Sequence, residues 1–135
     1  MSYEIKFEEG DGFILATVTG DNSASNVQAY LYDVLQECKD RNCHRVLIDE
    51  NLQGPRLDVD QVFSIASEGA MGSLGFFHAV AFVDPKMGDM AHFAETVAMN
   101  RGMPIRAFPT VEEARGWIAA QSEGADEQHI FSGNR

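Results

Sequence analysis

The sequence predicts an α/β fold in which a mostly parallel sheet carries an antiparallel hairpin at its N-terminus, with elements in the order ββαβαβαβα. Two strand-like segments come first and are separated by the turn EGDG at 9–12. Short apolar segments then alternate with amphipathic helical segments as far as residue 118. Strands that alternate with helices require right-handed crossover connections, and these make the sheet largely parallel.

The N-terminal hairpin is predicted from alternation of apolar and charged residues. Tyr3, Ile5 and Phe7 alternate with charged residues, as in a strand with one buried face. The turn at 9–12 leads into a second strand at 13–19, which we expect to pair antiparallel with the first.

Two helices flanking one strand are predicted next. The first helix is expected to end near Asn42, and a short buried strand follows at 45–48. Asp58 is a good N-cap for the second helix, because its side chain can accept a hydrogen bond from a backbone N–H. Closely spaced glycines end that helix soon after Ala70. The two apolar stripes consist of Val27, Leu31, Val34, Leu35 and Cys38, and of Val59, Val62, Phe63, Ala66 and Ala70.

A further buried strand is predicted at 77–83, followed by a third helix. Asp84 is expected to cap this helix, with Pro85 at the first helical position and Gly102 after its end. Its inner face should consist of Met87, Met90, Ala91, Ala94, Val97 and Ala98.

The last elements are a strand at 105–108 and a short helix through Ile118. Thr110 and Glu113 have the spacing of a capping box, which places the start of this helix. The remaining residues, 122–135, are mostly polar and are predicted to form a mobile C-terminal tail.

Polar residues interrupt two of the predicted strands. His78 and Arg106 fall inside otherwise apolar segments. Strands covered on both faces are apolar throughout, so these two residues indicate a sheet face that is not fully covered.

Length and charge limit the classes of function. A chain of 135 residues corresponds to one domain, here residues 1–121. Its net charge of −11 argues against nucleic acid and anionic membrane surfaces as partners. The acidity can serve solubility alone or attract a basic partner. The N-terminus has no export signal and no segment approaches the length of a membrane span, so we expect a cytoplasmic protein.

The segments HRVLIDE at 44–50 and FHAVAFVDPKMGDMAHFAETVAMNRGMPIRAFPTVEEARGWI at 77–118, in this order of elements, resemble the SpoIIAA-like, or STAS-type, family of small bacterial domains. The resemblance implies a short sheet backed by helices and a regulatory, protein-binding role without catalysis. It also implies that some relatives hold lipids or other small ligands. The family's phosphoacceptor would be a Ser or Thr at the start of the second helix, but residues 51–60 contain no hydroxyl side chain.

Structural roles explain the residues that could otherwise form a metal or catalytic site. Cys38, Cys43 and His44 have no second ligand pair, which structural zinc normally requires. Cys43 and His44 are neighbours on a strand and point to opposite faces, so they do not form a nucleophile and base pair. Asp58 and the acids around it could in principle act as acid and base or hold a hydrated Mg²⁺, but capping and the helix dipole explain them more simply. We therefore predict no catalytic residue, no metal and no cofactor.

Two hypotheses about function remain. The first is an interaction module that binds a protein partner, or itself as a homodimer, through Asp49, Glu50, Asn51, Gly54 and Asp58. The second is a carrier of a small apolar ligand, suggested by the methionines and aromatic residues Met87, Met90, Met99, Met103, Phe76, Phe77, Phe82 and Phe93. Methionine also fills irregular gaps in ordinary cores, so the sequence alone does not decide between the two hypotheses.

Overall fold

The computed structural model describes residues 2–86 and 88–121, which contain a five-stranded mixed sheet. The strands lie side by side in chain order, the first pair is antiparallel, and the other pairs are parallel. The predicted α/β class, the N-terminal hairpin and the mostly parallel sheet are therefore confirmed. Met87 and the predicted tail at 122–135 lie outside the described residues. The strands are β1 (Tyr3–Glu9), β2 (Ile14–Asp21), β3 (Arg45–Gln53), β4 (Ala79–Val83) and β5 (Ile105–Phe108).

The described residues also form four helices, which divide unequally between the two faces of the sheet. They are α1 (Ala24–Asp40), α2 (Val59–Gly72), α3 (Asp89–Asn100) and α4 (111–121). The first three connect successive parallel strands, so the right-handed crossover rule places them all on one face. The fourth follows the last strand and packs on the opposite face.

Side-chain caps fix the starts of the first two helices. Ser23 accepts a hydrogen bond from the backbone N–H of Asn26 at 3.1 Å. Asp58 accepts one from Gln61 N at 2.8 Å, and the Gln61 side chain accepts one from Asp58 N at 3.0 Å. This capping box confirms Asp58 as the N-cap of α2.

Several predicted boundaries were wrong, among them the start of β4, which begins at Ala79 and leaves His78 before the strand. β3 continues past residue 48 to Gln53, because β2 continues alongside it and Thr17–Asp21 supply pairing partners for the added residues. Asp84 does not cap α3, which begins later with Gly88 as N-cap. The Asp84 carboxylate instead accepts a hydrogen bond from Lys86 N at 2.9 Å. The last helix continues beyond Ile118 to residue 121.

Side chains alternate between the two faces of the sheet along each strand, and this produces two hydrophobic cores of different composition. The odd positions Phe13, Leu15 and Leu47 meet Ala114 and Ile118 of α4 in a small core. The even positions on the same strands form a larger core with α1 and Ile65 of α2; its strand members are Ile14, Ala16, Val18, Val46, Ile48 and Val80. The single helix α4 leaves part of its face open, and Arg106 is exposed there, as its polar character predicted.

Candidate functional site

A cavity of about 830 Å³ lies between the sheet and the three helices α1, α2 and α3. This volume is within the roughly 300–1,000 Å³ of ordinary small-molecule sites. The side chains that line it are mostly apolar and come from all three helices and from three strands. Representative members are Leu31, Leu35, Ile48, Ile65, Phe82 and Met90.

Small residues on two helices create this space. Ala66, Gly69 and Gly72 of α2 line the cavity where bulkier residues would reach the sheet. On α3 the same is true of Ala91, Ala94 and Ala98. Interiors are normally packed to the density of organic crystals. The row of alanine and glycine on neighbouring helices therefore leaves room that the aliphatic residues of the strands do not fill.

One end of the cavity is polar. Glu50 of β3 and Asp84, which directly follows β4, both line the cavity. Their neighbours Asp49 and Val83 are partners in the parallel ladder, so Glu50 and Asp84 lie side by side at the next position. The buried hydroxyl of Tyr30 on α1 donates a hydrogen bond to the Glu50 carboxylate. Two carboxyl groups and a phenol thus meet a mostly apolar space.

The surroundings of Glu50 favour its neutral form. Burial raises the pKa of Glu50 from its ordinary value to about 7, the nearby charge of Asp84 adds to this, and the hydrogen bond from Tyr30 opposes it. Burial likewise raises the pKa of Tyr30 well above its ordinary value, with the charge of Glu50 as a further cause. Near neutral pH Glu50 can therefore gain or lose a proton in response to whatever occupies the cavity.

Loops at the carboxyl ends of the strands form the mouth of the cavity. Arg56 Nη2 donates a hydrogen bond to the backbone oxygen of Lys86 at 3.1 Å, which ties the loop before α2 to the loop before α3. Asn22 Nδ2 donates one to the backbone oxygen of Pro55 at 2.8 Å. Arg56 and Lys86 both line the mouth. The entrance thus carries positive charge close to the carboxylates of Glu50 and Asp84.

Glu95 of α3 is a further acid of the lining, and its role is structural. Its carboxylate accepts a hydrogen bond from the backbone N–H of Ala107 in β5 at 2.7 Å. The carboxylate therefore fastens α3 to the edge strand and helps to hold the helix above the cavity.

The five residues proposed for partner binding do not share one face of the sheet. Asp49 and Glu50 are consecutive in β3 and point to opposite faces, with only Glu50 at the cavity. Asn51 and Gly54 are exposed near the mouth. Asp58 is exposed at the start of α2, where its carboxylate is engaged as a cap.

The residues considered for metal binding and nucleophilic catalysis have other partners. Burial raises the pKa of the Cys38 thiol to about 12, so this thiol stays protonated. Cys43 Sγ donates to the backbone oxygen of Arg45 at 3.3 Å. His44 Nδ1 lies 2.8 Å from the backbone oxygen of Phe76, and its ring stacks on His78 at 4.7 Å. Within residues 2–86 and 88–121, no three His, Cys, Asp or Glu side chains are grouped as a metal site would require.

Sequence reasoning found part of the cavity and missed its polar end. Of the methionines and aromatic residues that suggested a ligand carrier, Met90, Met103, Phe77 and Phe82 line the cavity. Met99 is 52% exposed instead. Tyr30 was not singled out, and Asp84 was assigned to a helix cap. The position of Asp84 directly after a buried strand was the available signal.

Comparison with protein-family models gives no match for the chain, and no curated protein matches it significantly. The likeness to STAS-type domains thus depends on the segments and the order of elements described above. In the part of the chain that the structure describes, no helix combines the length and the apolar composition needed to cross a membrane.

Proposed function

We propose that the chain is a non-enzymatic binding protein that takes up a small, largely apolar molecule in the cavity between the sheet and α1–α3. The observation that supports this best is the cavity itself, at about 830 Å³ with a mostly apolar lining and a few polar groups at one end. Small-molecule sites combine these two properties, because apolar walls supply affinity and a few polar groups fix orientation.

The dispersion energy lost around an empty cavity also favours binding of a ligand. Side chains that face empty space lose the dispersion contacts that a filled interior would provide. A ligand restores those contacts, and it stabilises the folded chain by an amount that increases with the logarithm of its concentration over its dissociation constant. The STAS-type resemblance supports the same reading, since it implies relatives that hold lipids or other small ligands.

Native mass spectrometry of freshly purified protein tests the proposal, with Ala94→Phe as the blocking variant. Ala94 lines the cavity, so a phenyl ring at this position occupies the space of a ligand. We expect a co-purified small mass, or uptake of the neutral dye N-phenyl-1-naphthylamine, for the wild-type chain and a loss of both for Ala94→Phe. The variant should be as stable as wild type or more stable, by about 0.5–2 kcal/mol, because it fills a cavity.

Thr96→Phe is the matched control for the blocking variant. Thr96 lies on the same helix but is exposed and outside the cavity lining. It should keep the bound mass and the dye. If wild-type protein binds neither a co-purified molecule nor the dye, or if both phenylalanine variants bind as well as wild type, the cavity is not a binding site.

A protein-interaction module is the second candidate, and exposed apolar side chains support it. Val59 and Phe63 of α2 are 52% and 44% exposed, and Leu74 after α2 is 65% exposed. The guanidinium of Arg101 lies 5.1 Å from the centre of the Phe63 ring. Of the residues first suggested for partner binding, Asn51, Gly54 and Asp58 are exposed, and Asp58 directly precedes Val59. A doubled mass in the same spectra would support self-association through this surface.

A further inference from the structure

Glu50 and Asp84 face the cavity, and no cationic side chain among residues 2–86 and 88–121 forms an ion pair with either of them. They lie on neighbouring parallel strands at the same level, and both line the cavity. Among the residues that the structure describes, the ion pairs join Arg41 to Glu9 and Glu37, and His92 to Glu95. Neither Glu50 nor Asp84 takes part in one. Buried carboxylates are usually paired, because transfer of an unpaired charge out of water is costly.

The hydrogen bonds that these two carboxyl groups receive still leave acceptor capacity. Glu50 accepts from the Tyr30 hydroxyl, and Asp84 accepts from the backbone N–H of Lys86. An ionised carboxylate has about four acceptor positions. Both groups therefore keep lone pairs for a ligand that enters the adjoining space.

We propose that the ligand carries a protonated amino group on an apolar body, and that this group lies between the carboxyl groups of Glu50 and Asp84. The inference rests on the proposed function, since it assigns the chemistry of the ligand in the same cavity. An ammonium group donates three hydrogen bonds and supplies the missing positive charge. The apolar body of the ligand then occupies the space beside α2 and α3, where alanine and glycine leave room.

An anionic amphiphile fits the site less well. A carboxylate or phosphate placed at the polar end would meet two like charges, which is unfavourable at short range. Arg56 and Lys86 could attract an anion, but they lie on the loops at the mouth. An anion held there would leave Glu50 and Asp84 without a partner inside.

The protonation state of Glu50 provides a second test of the ammonium ligand, through the pH dependence of its affinity. The pKa of Glu50 is near 7 because of burial and the charge of Asp84, so the group is partly neutral at physiological pH. An ammonium ligand binds the ionised form, and its affinity should therefore increase by about tenfold between about pH 6 and pH 8. The other ionisable groups of the lining are Tyr30 and Tyr32 of α1, Glu68 of α2, Glu95 of α3 and the loop residues Arg56 and Lys86.

Three probes with the same number of carbon atoms test the inference: dodecylammonium, 1-dodecanol and dodecanoate, each below its micelle concentration or its solubility limit. Their binding is measured by displacement of N-phenyl-1-naphthylamine at about pH 6 and about pH 8. We expect dodecylammonium to bind about tenfold more tightly than dodecanol at the higher pH, and dodecanoate to bind most weakly. Dodecanol should bind equally at both pH values.

Glu50→Gln and Asp49→Asn are the matched variants. At about pH 8 each removes about one negative charge from the same strand, so the general attraction of a cation to this acidic chain falls about equally. Asp49 faces away from the cavity and is expected to leave the preference for the amine unchanged. Glu50→Gln should abolish most of the preference and its pH dependence, while dodecanol binding shows that the variant still folds.

The outcomes separate this inference from the proposed function. If the wild-type chain binds dodecanol as tightly as dodecylammonium, or binds dodecanoate most tightly, the proposal that the ligand carries an amino group is wrong. The proposal that the cavity binds an apolar molecule is then unaffected. The same conclusion follows if Asp49→Asn reduces the preference as much as Glu50→Gln. If the wild-type chain binds neither the dye nor any of the three probes, the proposed function fails and this inference fails with it.

Discussion

The two faces of one sheet differ in how completely their helices fill the space above them. Directly under α4, Leu47 and Ala81 are fully buried beneath Ala114 and Ile118, and the packing there is closed, while the part of this face around Arg106 stays exposed. On the opposite face three helices surround a cavity of about 830 Å³. The face covered by three helices is therefore packed less completely than the region under the single helix α4.

The side chains of the helices, rather than those of the strands, explain this difference. Both faces of β3 carry aliphatic residues, Leu47 on one side and Val46 and Ile48 on the other. α4 inserts a large residue, Ile118, whereas α3 presents alanines. One face therefore contributes mainly to stability, and the other retains room for a ligand at some cost to packing.

The largest expected effect comes from truncating one leucine on each face of β3. Leu47 is fully buried under α4, and Leu52 is half-buried on the cavity side. Leu47→Ala should lower the free energy of unfolding by about 2–5 kcal/mol, because the closed face leaves a new cavity. Leu52→Ala should cost about 1 kcal/mol or less, since its side chain already borders open space. Urea denaturation of both variants measures the two values.

Equal losses in the free energy of unfolding for Leu47→Ala and Leu52→Ala would contradict the difference in packing between the two faces. A large loss at Leu52 would mean that the cavity side is packed as tightly in solution as the side under α4, and that the open volume closes there.

The next effect concerns the dependence of stability on pH. The pKa of Glu50 in the folded chain is raised to about 7, above its ordinary 4.5. Folding therefore favours the protonated form. The resulting stability is fully present below about pH 4.5, falls as the pH rises through 7, and is lost above it. Glu50→Gln keeps an acceptor for the Tyr30 hydroxyl but carries no charge.

We expect the ligand-free Glu50→Gln variant to be more stable than wild type by about 1–3 kcal/mol at about pH 8, and nearly equal to it at about pH 4.5. Chemical denaturation at the two pH values gives the difference. Asp49→Asn serves as control and should stay within about 0.5 kcal/mol of wild type at both. A Glu50→Gln variant that is less stable at the higher pH would show that the carboxylate is already compensated in the empty protein.

The fold was largely predictable because local patterns and topology agree. Alternation at Tyr3, Ile5 and Phe7 predicted the hairpin, and helical periodicity with the Asp58 cap predicted α2. The C-terminal half of β3 was not predicted, because Asp49 to Gln53 has polar residues that are rare in buried strands. Their pairing with β2 is a tertiary effect that one segment does not reveal.

The site was less predictable than the fold. A cavity forms where side chains from several facing elements leave volume unfilled. No single segment of the sequence therefore encodes it. The alanines of α3 were correctly placed on its inner face, but the same pattern is typical of close helix packing. Glu50 was singled out as part of a surface loop, and only the strand register places its carboxyl group beside Asp84 in the interior.

The smallest expected effect on stability comes from removing the side-chain cap of one helix on each face, α2 and α4. α2 buries few of its own side chains, among them Ile65 and Ala70, because it borders the cavity. Its start therefore depends on the capping box of Asp58 and Gln61. Asp58→Ala should cost about 1 kcal/mol and speed amide hydrogen exchange in the first turn of α2, while Asp58→Asn should be nearly neutral because asparagine is also a good cap.

Thr110 provides the comparison on the other face. Its hydroxyl accepts a hydrogen bond from Glu113 N at 3.3 Å at the start of α4, whose residues Ala114 and Ile118 are fully buried. Thr110→Ala should cost about 0.5–1 kcal/mol without faster exchange beyond the first turn, since packing holds the rest of that helix. If Asp58→Asn destabilised the chain as much as Asp58→Ala, the charge of this carboxylate would matter more than its cap. If the two alanine variants gave the same exchange pattern along their helices, the cavity would not leave α2 more dependent on its cap than α4.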